Sequence, residues 1–141
     1  MTLRQLVTIS LIGILVLASG CVSTNQSKVF PTPSPDKGLV YFYLKGGILE
    51  TTALYSVEQD NQFIGSLEEN AYLFVFSEPG NHIFTSNSES ESAITINVEA
   101  GKTYYVKCDI KKGLFAGHPR FKLADERKAN EVIQYLKDVT K

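Results

Sequence analysis

Two cysteines and two histidines carry most of the chemistry this chain could perform, and their spacing restricts it sharply. Cys21 lies at the end of an apolar run, Cys108 inside an alternating segment, and His82 and His118 stand 36 positions apart. Neither histidine forms an H-x-x-x-H pattern and the cysteines form no C-x-x-C, so the ligand spacing of structural or catalytic zinc is absent from the sequence. A serine nucleophile needs a base held against it, and no G-x-S-x-G elbow presents one. The acidic run SESES, Ser88 to Ser92, lacks the D-x-D-x-D-G spacing that wraps a hard cation and reads as a solvated hairpin loop. The expectation is a protein that is no enzyme and carries no cofactor or metal.

Cys21 calls for a different chemistry. Arg4 precedes Leu6 to Ala18, a stretch without charge that is too short to cross about 30 Å of hydrocarbon, which takes about 20 residues. It has the proportions of a signal-peptide core. The residues Leu17-Ala18-Ser19-Gly20-Cys21 that close it resemble the bacterial lipobox. That resemblance implies a diacylglyceryl group on the Cys21 sulfur, removal of residues 1–20, and a protein anchored to a membrane by its N-terminal lipid. Two or more acyl chains anchor stably where one binds only reversibly. Val22 follows, where many Gram-negative lipoproteins kept at the inner membrane have Asp; in a Gram-negative host the expected address is therefore the outer membrane, facing the periplasm.

Loss of residues 1–20 removes Arg4 and no acid, leaving 13 Lys and Arg against 15 Asp and Glu. A near-neutral balance speaks against nucleic acid as a partner. With Cys21 acylated, Cys108 has no partner for an intrachain disulfide, so the fold must rest on its apolar core. Residues 21–37 are rich in Ser, Thr, Asn and Gln, with Pro31, Pro33 and Pro35 alternating. Such a segment reads as a tether, able to reach about 50 Å if extended as polyproline II. Residues 38–141 hold 14 of the 15 aromatic residues and read as one domain.

Within that domain the pattern predicts short strands separated by turns. Leu39–Leu44 is apolar on both faces, as in a central strand. Ala53–Gln59 and Gln62–Leu67 flank an Asp60-Asn61 hairpin turn, and Ala71–Ser77 leads through Pro79-Gly80 into His82–Ser86. Ile94–Val98 alternates with period two. Thr103–Ile110 places Tyr104, Val106, Cys108 and Ile110 on one face, so Cys108 points inward. Pro119–Leu123 reads as an edge strand, where Pro is tolerated. Asp125 caps a helix predicted to run to about Lys137, with Ala129, Val132, Ile133 and Leu136 on one stripe. The expected fold is a mainly β, antiparallel β-sandwich of seven or eight short strands with one C-terminal amphipathic helix.

Several of these stretches together resemble a known family. They are GLVYFYL at 38–44, Val57 with Asn61 and Phe63-Ile64-Gly65-Ser66-Leu67, Glu78-Pro79-Gly80-Asn81-His82, Val98 through Val106, and Gly113-Leu114-Phe115. The chain resembles the bacterial lipoprotein family catalogued as domain of unknown function 2846. It also bears a weaker resemblance to the small surface sandwiches named for their PEGA motif. The implication is a lipid-anchored sandwich of the cell envelope, without assigned catalytic residues.

Two binding surfaces follow from the sequence. In the loop between the last strands, Leu114 and Phe115 lie among Lys111, Lys112, His118 and Arg120, apolar anchors in a basic rim; they serve either as a contact for an envelope protein or anionic polymer or as a plug for one end of the sandwich. Tyr43, Tyr55 and Tyr105 are the candidate stacking platforms for peptidoglycan or another envelope glycan. The leading expectation is an adaptor that binds an envelope protein, and the alternative is a carbohydrate-binding module.

Overall fold

The computed structural model describes residues 28–47, 52–86, 89–112 and 117–141. Cys21 and the signal segment lie outside the described residues. The described chain forms two sheets packed face to face, with strands β1 (Gly38–Leu44), β2 (Tyr55–Gln59), β3 (Gln62–Leu67), β4 (Ala71–Ser77), β5 (Gly80–Ser86), β6 (Glu89–Val98), β7 (Thr103–Lys112), β8 (Gly117–Leu123) and β9 (Lys137–Asp138), and helix α1 (Glu126–Ile133). One sheet has the order β8-β7-β1-β4-β9 and the other β3-β2-β5-β6. No helix among the described residues is long and apolar enough to cross a membrane.

The double-faced pattern of β1 explains its place. Val40, Phe42 and Leu44 point between the sheets, where they meet Val57, Leu67, Leu73, Phe84, Ile96, Val106, Cys108 and Phe121. Leu39, Tyr41 and Tyr43 point the other way, into a second core with Tyr72, Tyr105 and the α1 residues Ala129 and Ile133. A strand covered on both faces shows no polar alternation, because neither face meets water. Asp60 and Asn61 turn the β2–β3 hairpin with φ of 52° and 67°, the positive pair that a two-residue type I′ turn requires.

The architecture departs from the expectation in four respects. Pairing is not wholly antiparallel, since β1 runs parallel to β7 and β4 parallel to β9. Residue pattern reports which faces are buried but not strand direction, so these pairings were invisible to it. The Ser88–Ser92 loop is instead strand from Glu89 on, and Ser92 is buried. Its hydroxyl accepts from Ser86 N and donates to Ser86 O, both at 2.8 Å, in place of ladder bonds near the register shift in β5. Helix α1 stops at Ile133 rather than near Lys137. Asp125 caps it as expected, accepting from Lys128 N, but the chain then tightens through Tyr135 N to Val132 O and Leu136 N to Ile133 O so that Lys137 and Asp138 pair with β4. Finally, part of the expected tether touches the domain: Phe30 packs on the second core and Pro31 O accepts from the Tyr41 hydroxyl.

Candidate functional site

The sandwich has an open flank where β3 faces β4. On its outer side β4 pairs with β9 only at Ala71 and Tyr72. Tyr72 O accepts from Val139 N and Phe74 N donates to Thr140 Oγ1, so the even-numbered residues of β4 present their backbone groups to this edge. From Phe74 O onward, including the N–H and C=O of Phe76, no strand among the described residues pairs with it. A groove of about 330 Å³ runs along this edge, lined by Ile64 and Gly65 of β3, by Leu73 to Phe76 of β4, and by Val139 to Lys141. Phe76 is 40% exposed at its rim, and Phe63 and Ile83 are further exposed apolar residues of the other sheet. Chemically the groove offers main-chain donors and acceptors beside apolar pockets, the two elements of strand addition. Sequence reading missed it, because openness of an edge depends on strand order.

Of the basic loop, Lys111, His118 and Arg120 are exposed, with Lys111 opposite His118 and Asp109 opposite Arg120 in the β7–β8 ladder. They share the outer sheet face with Asp109, which Lys107 holds at 2.6 Å and Lys122 at 3.1 Å. Burial pushes the Asp109 carboxyl up, but the hydrogen bonds from Lys107 and Lys122 outweigh it and leave the group below its ordinary value. Leu114 and Phe115 lie outside the described residues, as does the side chain of Lys112.

The three candidate stacking tyrosines are all buried, which corrects the exposure expected of them. Tyr43 is 4%, Tyr55 5% and Tyr105 8% exposed. Tyr55 belongs to the inter-sheet core. Tyr105 lies under α1, its hydroxyl hydrogen-bonded to the Asn130 side chain and its ring stacked on Tyr41 at 5.4 Å. Cys108 points into the inter-sheet core as the alternation implied, and burial pushes its thiol up to about 12. A thiol so placed is inert.

His82 stands in a network that the sequence did not reveal. Its Nδ1 lies 2.6 Å from Asp60 Oδ2 and its Nε2 2.8 Å from the Glu78 carbonyl. Ser77 Oγ donates to Gln59 Oε1 at 3.0 Å, and the Gln59 amide helps to satisfy Asp60. Asp60 Oδ1 also accepts from Ile83 N at 2.9 Å. Nε2 thus faces a carbonyl, while Nδ1 faces the closer Asp60 carboxylate with the Gln59 amide nitrogen 2.9 Å away. The short carboxylate contact favours an imidazolium, and the network joins the β2–β3 turn to the segment between β4 and β5. The hydrogen bond to Asp60 raises the His82 pKa from its ordinary 6.5, and the bond from His82 lowers that of Asp60 from 3.8. The network's stabilisation is therefore full between pH 3.8 and 6.5, lost as pH rises through the raised His82 value, and lost in acid as pH falls through the lowered Asp60 value. His82→Gln is expected to cost about 1 kcal/mol at pH 5.5 and progressively less above neutrality, read as the difference in urea midpoint from wild type at each pH. A cost that does not change with pH would refute the charged ring. Among the described residues no three His, Cys, Asp or Glu side chains are placed to hold a metal.

Comparison with known proteins decides the family. The family model described as protein of unknown function, DUF2846, matches residues 34–119. The chain belongs to the DUF2846 family. Within this DUF2846 protein the match runs from just before β1 to the start of β8, so it contains the open β4 edge and the His82 network. A relative described as an uncharacterized protein of Haemophilus influenzae is 25% identical over 136 residues, covering 90% of this chain and 80% of its own length. No solved structure matches.

Proposed function

We propose that this DUF2846 protein is a non-enzymatic cell-envelope lipoprotein, held at a membrane by acylated Cys21, whose sandwich receives an extended segment of a partner protein along the open edge of β4. One observation carries the binding reading: beyond Tyr72 the edge has backbone groups without a strand partner among the described residues, alongside a groove of mixed surface that apolar side chains such as Ile64, Leu73 and Phe76 line. Natural sheets cover or blunt such edges, so an open one bordered by apolar side chains suits a partner that adds a strand. The glycan alternative loses support, since Tyr43, Tyr55 and Tyr105 have no exposed ring to offer a sugar. In a Gram-negative host the proposed address is the outer membrane, facing the periplasm.

Cys21→Ser is expected to leave the protein unacylated and release it from membranes on alkaline washing; a variant that stays with the membrane fraction would end the anchoring reading. For the edge, Phe76→Pro removes an outward N–H without touching the β1 ladder, in which the neighbouring Val75 pairs with Val40. The variant is expected to lose no more than about 1 kcal/mol of stability while its partner disappears from a crosslinked pull-down of the lipidated protein. Splitting that pull-down into muramidase-treated and untreated halves separates a protein partner, which survives the enzyme, from wall glycan. Recovery of glycan fragments alone would contradict the proposal.

A further inference from the structure

The N-terminal end of the described chain is pinned to one side of the domain. Lys28 Nζ donates to the Leu136 carbonyl and lies 4.8 Å from the centre of the Tyr72 ring. Phe30 packs against Tyr72 and Tyr41 at ring distances of 5.9 and 6.4 Å, and the Tyr41 hydroxyl donates to Pro31 O at 3.2 Å. Chain length then limits how far an anchored Cys21 can be from this point. At no more than about 3.6 Å per residue, the chain from Cys21 to Lys28 spans at most about 25 Å. That is close to twice the radius of gyration of a 100-residue domain, about 13 Å, and half of the tether length that full extension through Lys37 would give. A bilayer holding Cys21 therefore lies within about one domain width of Lys28.

Two large apolar residues flank this pinned point and are the most exposed of their kind among the described residues. Val29 is 89% exposed and Tyr135, next to the Leu136 carbonyl that Lys28 binds, is 83% exposed. Neither supports the domain's packing. Tyrosine has an apolar ring and a polar tip, and such residues concentrate at the headgroup level of membranes.

We infer that the surface carrying Val29 and Tyr135 is the membrane-facing side of the lipidated protein, with both side chains seated in the headgroup region of the bilayer. The inference rests on acylation of Cys21. It gives the anchored domain a defined orientation, with the end of α1 toward the lipid.

The chain contains no tryptophan, so Tyr135→Trp creates a sole reporter at an exposed site. The processed lipoprotein carrying this substitution is purified from membranes and reconstituted into phosphatidylethanolamine and phosphatidylglycerol vesicles whose acyl chains are brominated near the headgroup. The expected result is blue-shifted emission at position 135 with loss of intensity to bromine. A parallel Phe63→Trp protein, its reporter on the opposite sheet, is expected to keep aqueous emission. Protein that floats with the vesicles while the indole at position 135 remains aqueous and unquenched would overturn the orientation and leave the anchor standing. Protein that fails to float would overturn both.

Discussion

Phe42→Ala is expected to remove about 3–5 kcal/mol of stability, a large part of the 5–15 kcal/mol typical of a whole domain. Phe42 has no solvent exposure and lies between the sheets, with its ring 5.1 Å from that of Phe84 and 5.3 Å from that of Phe121. Phe84 belongs to one sheet, whereas Phe42 and Phe121 belong to the other. Truncation therefore removes the contact across the sandwich as well as leaving a cavity. Its neighbours have little freedom to collapse into that space, because β1 is held by ladders on both sides, to β4 and to β7. At about 4 °C per kcal/mol the thermal midpoint falls by about 12–20 °C. A drop of only a few degrees would mean that the two sheets do not share a tightly packed core.

Tyr41→Ala, one residue away, is expected to cost about 3–4 kcal/mol for a different reason. Tyr41 points to the outer face, where it stacks on Tyr105 at 5.4 Å with planes 7° apart and meets Phe74 at 5.6 Å and Tyr72 at 6.1 Å. Its hydroxyl also holds Pro31, so the substitution removes support from α1 and from the 28–31 segment together. Burial pushes the Tyr41 phenol well above its ordinary value, and the hydroxyl remains a donor throughout the working pH range. Tyr41→Phe keeps the ring and loses that one hydrogen bond, which amounts to about 1 kcal/mol. Urea titration measures both variants, and trypsin cleavage after Lys28 reports release of the segment. Rapid cleavage in Tyr41→Ala, with Tyr41→Phe intermediate, is the expected order. Equal cleavage of all three proteins would show that the segment is not held by this contact.

The paired substitutions show what the sequence made legible. The run Leu39–Leu44 lacks polar alternation, and this announced a strand with two covered faces. The bounds of β3 and β4 are legible from turn residues that tolerate positive φ or mark a break, Asp60-Asn61 before β3 and Pro79-Gly80 after β4. Cys108 was placed inward by its period-two neighbours. Other features depend on contacts between distant segments. The parallel pairing of β1 with β7 joins residues more than 60 positions apart, and nothing in either strand encodes its direction. Tyr105 shares its strand face with Thr103, Lys107 and Asp109, a pattern that leaves its exposure open; α1 covers that face at Tyr105, while Lys107 and Asp109 stay partly exposed and paired with each other. Phe30 was hidden in a segment whose composition suggests a tether, although a single aromatic residue is enough to dock a short piece of chain onto an existing core.

The candidate site was the least legible part for the same reason. The open length of β4 follows from its pairing with β9 at only two residues, Ala71 and Tyr72. A pattern read along one strand cannot report where its neighbour ends. His82 joins Asp60 and Glu78 because two turns meet at one end of the sandwich, and its spacing from either residue carries no motif.

The most direct test of partner capture is photo-crosslinking in growing cells, with a benzophenone amino acid at Phe76 in the full-length lipoprotein and, as a control, at Leu123, which is 57% exposed on β8. The expected result is a discrete protein adduct at position 76 that persists after muramidase treatment, with none at position 123. Adducts at 123 without any at 76, or only glycan-linked material at 76, would contradict capture at the β4 edge.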